Sequence, residues 1–106
     1  MSRIKYALPE NLDEDTALHK LAAVPGSGGS LAAEAAQDGC QVFVTGEMAH
    51  HDVISATARG MGVLLAGHTN TERGYLPRLA ERLRDEMDGT EFRISAADRD
   101  PLVVLD

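Results

Sequence analysis

The chain has 106 residues, enough for one domain with a modest core and no second one. Seventeen acidic residues against ten Lys and Arg leave a net charge of −7, which disfavours nucleic acid as a partner and favours local cation binding. With 43% hydrophobic and 25% charged residues the composition is that of a soluble globular domain, and an aromatic share of 4% without Trp leaves the core to Val, Leu, Ile and Ala.

Residues 1–18 lack clear periodicity. Leu8-Pro9-Glu10-Asn11-Leu12-Asp13-Glu14-Asp15 reads as an acidic connector leading in from elsewhere. A regular alternation of elements then begins. His19 to Val24 is a short strand, in which His19 reads as structural, broken by Pro25-Gly26-Ser27-Gly28-Gly29. Ser30 is placed to cap a helix running to about Gln37, with Glu34 near its start, and Gly39 ends it. Cys40 precedes the next strand and reads as a small packing residue; a lone cysteine forms no internal disulfide and fits a reducing, cytoplasmic compartment. Gln41 to Thr45 is a β-branched strand, residues 50–59 a helix ending at Gly60, and Met61 to Ala66 a third strand. Gly67-His68-Thr69-Asn70 turns into the longest helix, about residues 72–87, with Leu76, Leu79, Leu83 and Met87 on one buried face. Glu91 to Ser95 is predicted as a fourth strand, followed by a tail. Neither a basic apolar leader nor an apolar run of the roughly 18 residues a membrane helix needs is visible, so no membrane partner is expected.

Strands alternating with helices predict a single three-layer-type α/β domain with a mainly parallel sheet of about four strands, flanked by about three helices. The loops after the first three strands then open at one sheet edge, where open α/β sheets bind ligands. The unusual polar residues fall in those loops. The first, Gly26-Ser27-Gly28-Gly29-Ser30, is suited to present backbone N–H groups to an anion, but it lacks the lysine of a P-loop and the dinucleotide spacing; a plain strand-to-helix turn is the other reading. The second, Thr45-Gly46-Glu47-Met48-Ala49-His50-His51-Asp52, has adjacent histidines that point roughly 100° apart on a helix and so seldom share one metal. One of them could shuttle a proton, and Asp52 either orients an imidazole or caps the helix. In the third, His68 and Glu72 stand four apart, on one side of a helical turn. Imidazole nitrogen and carboxylate oxygen together suit a divalent transition metal; a dipole-complementing glutamate beside an incidental histidine is the plainer reading.

These motifs in this order, through Phe43-Val44-Thr45-Gly46-Glu47-Met48, His50-His51-Asp52 and Gly67-His68-Thr69-Asn70-Thr71-Glu72-Arg73-Gly74 to the closing Asp98-Arg99-Asp100-Pro101-Leu102, carry a resemblance. Residues 19–106 resemble the C-terminal lobe of the Nif-three-like family, whose members are also labelled GTP cyclohydrolase I type 2 homologues or YbgI-like dinuclear metal-centre proteins. The end of the chain is similar to the eukaryotic-type members. The resemblance implies an α/β fold of two related lobes, a two-metal centre between them, and often a hexameric ring. It implies that His68 and Glu72 are metal ligands for divalent ions such as Zn, Mn, Fe, Ni or Mg, two per complete site. The other ligands, a His-His pair and an Asp, belong to the family's N-terminal lobe, so His50 and His51 are not that pair. By the same resemblance the expected function is metal-dependent hydrolysis of a nucleotide-like or heterocyclic small molecule, completed by an N-terminal lobe or partner chain. In that scheme His50 and His51 are candidate catalytic residues, and Gly26, Ser27, Gly28, Gly29, Ser30, Glu47 and Asp52 candidate substrate contacts. A homo-oligomer is expected in either case, and a non-catalytic protein-interaction or assembly module is the alternative.

Overall fold

The structure is a computed structural model and describes residues 4–105. Four strands, β1 (Lys5–Ala7), β2 (Leu21–Ser27), β3 (Val42–Glu47) and β4 (Gly62–Leu65), form one sheet in the order β1-β4-β3-β2. β2, β3 and β4 run parallel, and β1 joins the far side of β4 antiparallel. The helices are α1 (Ala32–Gln37), α2 (His50–Ala58), α3 (His68–Arg73) and α4 (Leu76–Glu86). The predicted α/β class with a four-stranded, mainly parallel sheet is what forms.

Up to Val24 the parallel strands hold register residue for residue, so partnered side chains leave the sheet on the same side. Ala22, Phe43 and Val63 are aligned this way, and so are Val24, Thr45 and Leu65. They meet Ala32 and Ala35 of α1 and Ala56 of α2, with Met61, in one core. Small alanines on both helices let them lie close to the sheet. Phe43 at its centre is fully buried, a burial that stabilises by about 1.5–3 kcal/mol. Cys40 packs at the rim of this core, as expected of a packing residue. The opposite face carries Leu21, Ala23, Val44, Leu64 and Tyr6, of which Leu21 is 56% and Tyr6 67% exposed. No helix among the described residues is long and apolar enough to cross a membrane.

Four expectations change. The fourth strand is not residues 91–95 but Lys5–Ala7, inside the stretch read as a connector, which also buries Leu12. Residues 91–95 form no strand; Phe92 and Ile94 line an open groove along α4 with Leu76, Leu79 and Leu83 instead of joining the sheet. The long helix is two. A proline ring at 77 in a continuous helix would strike the carbonyl of residue 73, so α3 stops at Arg73 and α4 restarts with Pro77 in its first turn. Ser30 does not cap α1; a 3-10 turn over Gly29–Leu31 leads into that helix instead, with no side-chain cap.

Candidate metal centre

The carboxyl ends of β2, β3 and β4 bring the three predicted loops to one edge. β2 is irregular there. Pro25 has no N–H to offer the ladder and Gly26 takes φ 75°, so the register with β3 slips between Val24 and Ser27. At the end of β4, Gly67 takes φ 95°, and its carbonyl accepts the first helical bond from the Thr71 N–H at 3.1 Å. This sharp turn starts α3 at residue 68, earlier than the pattern suggested.

α3 crosses the ends of β3 and β2, and the crossing is tight. A Cβ on Gly46 would stand 2.4 Å from the Gly26 carbonyl oxygen and 2.7 Å from His68 Cα. Only glycine permits that approach. Thr71 Oγ1 accepts the Gly26 N–H at 2.9 Å, and the wholly buried Thr45 Oγ1 accepts the Gly28 N–H at 3.0 Å. Two backbone donors of the glycine-rich loop are thus held by threonines inside the protein. Gly26 serves the site by lacking a side chain: a Cβ there would stand 3.0 Å from Glu72 Oε2 and 3.3 Å from His68 Nε2.

His68 is the centre of the cluster. Its Nε2 lies 3.0 Å from Glu72 Oε1, and its Nδ1 lies 3.0 Å from Glu47 Oε1. All three side chains are partly open to solvent, 42%, 41% and 56% exposed respectively. The Glu47 hydrogen bond is the largest influence and holds the His68 pKa above its ordinary value near 6.5; desolvation opposes it, the charges of Glu72 and Glu47 add to it, and the Arg73 charge lowers it least. Arg73 also reaches forward, 3.7 Å from Glu72 Oε1 and 3.0 Å from Asp98 Oδ2, tying the tail to α3. A cavity of about 310 Å³ lies beside the imidazole, walled by Lys5, Glu47, Met48, Leu65 and the tail at Asp100 and Leu102–Val104.

The remaining predicted residues form other groups. Asp52 faces the glycine-rich loop, 2.9 Å from where a Gly29 Cβ would sit, and lies 3.5 Å from the exposed His51. It makes no side-chain cap on α2. His50 points elsewhere, lining a cavity over β1 with Tyr6 and Val63. Among the described residues neither histidine bonds to His68 or Glu72. His19, expected within a strand, precedes β2 and is exposed; its N–H donates to Gln41 Oε1 at 2.6 Å. Sequence reasoning missed the Glu47–His68 bond and the tail wall. The signal for the first was present, since Glu47 ends β3 and His68 follows the end of the neighbouring parallel strand β4, but side-chain direction was not readable.

The donor chemistry fits a divalent metal in part. One imidazole nitrogen and one carboxylate converge next to a glycine, a suitable pair. Among the described residues no group of three or more His, Cys, Asp or Glu could hold an ion, so a metal held here would need donors from outside them.

The sequence profile of the family described as Duf34/NIF3 (NGG1p interacting factor 3) matches residues 2–101. The chain is 37% identical over 106 residues to NIF3-like protein 1 of Mus musculus, covering 99% of this chain and 27% of that protein. It is 36% identical over 107 residues to the NIF3 homolog of Schizosaccharomyces pombe, covering 96% of this chain and 37% of that protein. A Bacillus cereus protein related to NIF3 superposes with a TM-score of 0.70 at 21% identity, over 98% of this chain and 28% of that one. That likeness supports the fold. The chain therefore spans well under half the length of the curated relatives it matches.

Proposed function

The chain belongs to the Duf34/NIF3 family, and from that premise we propose that it is the metal-binding lobe of a metal-dependent hydrolase acting on a nucleotide-like or heterocyclic small molecule. The observation that carries the reading is the convergence of His68 Nε2 and Glu72 Oε1, 3.0 Å apart, at the carboxyl end of the parallel strands against Gly26. His68 and Glu72 would hold the ion. Their number requires completion by an N-terminal lobe or a partner chain, in a homo-oligomer. A divalent metal, when bound, supplies Lewis acidity and an activated water. The protein's own contribution is to set the imidazole and carboxylate side by side and to wall a space for substrate. The cavity of about 310 Å³ beside His68 matches a small heterocycle in size. The exposed His51 and Asp52 against Gly29 offer further donors and acceptors at the same edge.

A non-catalytic interaction or assembly module is the second reading. The exposed Leu21 and Tyr6 on the open face of the sheet favour it, as does the word "interacting" in the family's description. Zinc or manganese titration by calorimetry near pH 7.5 tests the first: binding should be lost in His68→Ala, and unchanged binding removes the ligand assignment. Adding the N-terminal lobe of a relative separates the two readings. Turnover only in the mixture supports the hydrolase; tight assembly without turnover supports the module.

A further inference from the structure

His68 is gripped from two sides by carboxylates on different elements. Glu72 stands one helical turn along α3 and faces Nε2. Glu47 ends β3, is 21 residues away in sequence, and faces Nδ1 at 3.0 Å. The two ring nitrogens of an imidazole point away from each other, so an ion bound at one nitrogen stands beside only one of these two carboxylates. One marks the metal side and the other the support side.

The surroundings say which is which. On the Nε2 side the neighbour is Gly26, whose missing side chain leaves that nitrogen and Glu72 Oε2 open. On the Nδ1 side the contact is fixed by backbone. The Gly67 N–H donates to the Gly46 carbonyl at 2.9 Å, clamping residue 68 beside the strand that carries Glu47. Glu47 was expected to touch substrate; its bond to the ring suits a different task. We propose that Glu47 is a positioning residue whose carboxylate accepts the Nδ1–H of His68, fixes the ring plane, and leaves the Nε2 lone pair as the metal donor. This rests on the reading of His68 and Glu72 as a metal pair. A neutral imidazole carries its proton on one nitrogen and its lone pair on the other, so an acceptor at Nδ1 selects the tautomer that binds through Nε2. Without the acceptor the ring turns freely and both tautomers compete.

The test is a zinc titration at pH 8 on the ¹⁵N-labelled chain, read by long-range ¹H–¹⁵N spectra of the imidazoles. The His68 signals are identified by their loss in His68→Ala. In wild type, zinc should move Nε2 while Nδ1 keeps its proton. Glu47→Ala should weaken zinc binding about 10–100-fold and mix the tautomers. Glu47→Gln should recover most of the affinity, because its amide oxygen also accepts from Nδ1–H. If the alanine variant does not fold, Glu47→Met keeps the side-chain length, removes the acceptor and carries the same expectation. Wild-type affinity with a protonated Nδ1 in the acceptor-less variant overturns the proposal. So does zinc on Nδ1 in wild type. Equal loss in the Gln and Ala variants makes Glu47 a ligand and overturns it too. Zinc that moves no His68 signal in wild type refutes the metal pair itself, a distinct result that takes this proposal with it.

Discussion

The same three parallel strands build two regions of opposite character. Under α1 and α2 their middles form a core of Phe43, Val63 and small alanines, packed without a carboxylate or a basic side chain. At their carboxyl ends they form a wet cluster, Glu47, His68 and Glu72, in which every side chain is at least 41% exposed. The core derives its energy from burial, so its residues are constrained by volume. The cluster derives little stability from exposed ion pairs, so its residues are constrained by position. Damage should therefore separate: stability lost at the core, binding lost at the edge.

The largest test of that contrast is Phe43→Ala. Deleting a fully buried aromatic ring should cost about 3–5 kcal/mol, much of the stability of a small domain, as read by urea unfolding. A loss well below that would mean the core closes over the gap and is less tightly built than described. Gly46→Ala is the one change that should break both regions together. The added methyl meets the Gly26 carbonyl and His68 Cα, so about 1–3 kcal/mol should be lost and zinc affinity should fall with it. Stability lost with intact zinc binding would show that the two regions are not joined through this glycine.

A subtler effect comes from pH. The folded pKa of His68 is raised, so the imidazolium's contribution to the stability of the metal-free chain is fully present below about pH 6.5 and is lost as pH rises through the folded value. The difference in unfolding midpoint between wild type and His68→Ala should therefore be largest near pH 6 and vanish by alkaline pH. Metal binding has the opposite sign, because zinc must displace that proton. Its affinity should climb with pH and level off only above 6.5. A midpoint below 6.5 would argue that the Glu47 bond does not form in solution. The smallest effect should be on stability at pH 8, where His68→Ala should unfold like wild type while binding no zinc. A clear loss of stability there would erase the distinction between core and edge.

The two regions also differed in how far they could be read in advance. The core was legible because apolar spacing reports which side of an element is buried. Val42–Glu47 and Gly62–Leu65 fall where the pattern placed them, within a residue or two. The strand expected over residues 91–95 did not form, because a short run of this kind does not say whether a ladder partner is within reach. Lys5–Ala7 was invisible: three residues, two of them exposed, leave no pattern to detect. At the edge, the four-residue spacing of His68 and Glu72 could be read, since one helical turn joins them. The Glu47–His68 bond depends on how two neighbouring strands end. The loop donors of Gly26 and Gly28 depend on Thr71 and Thr45, which are far away in sequence. Those are tertiary facts with no local signature.

The antiparallel strand at the sheet's edge has a kinetic consequence. β2, β3 and β4 can assemble one after another, each joining its predecessor through a single crossover helix. Lys5–Ala7 must instead close a loop spanning more than half the chain before it meets β4, an entropic cost that comes early and is repaid late. Docking of this ribbon should be the last step on the folding route and its release the first on the way out. Amide hydrogen exchange should find Tyr6 far less protected than Phe43.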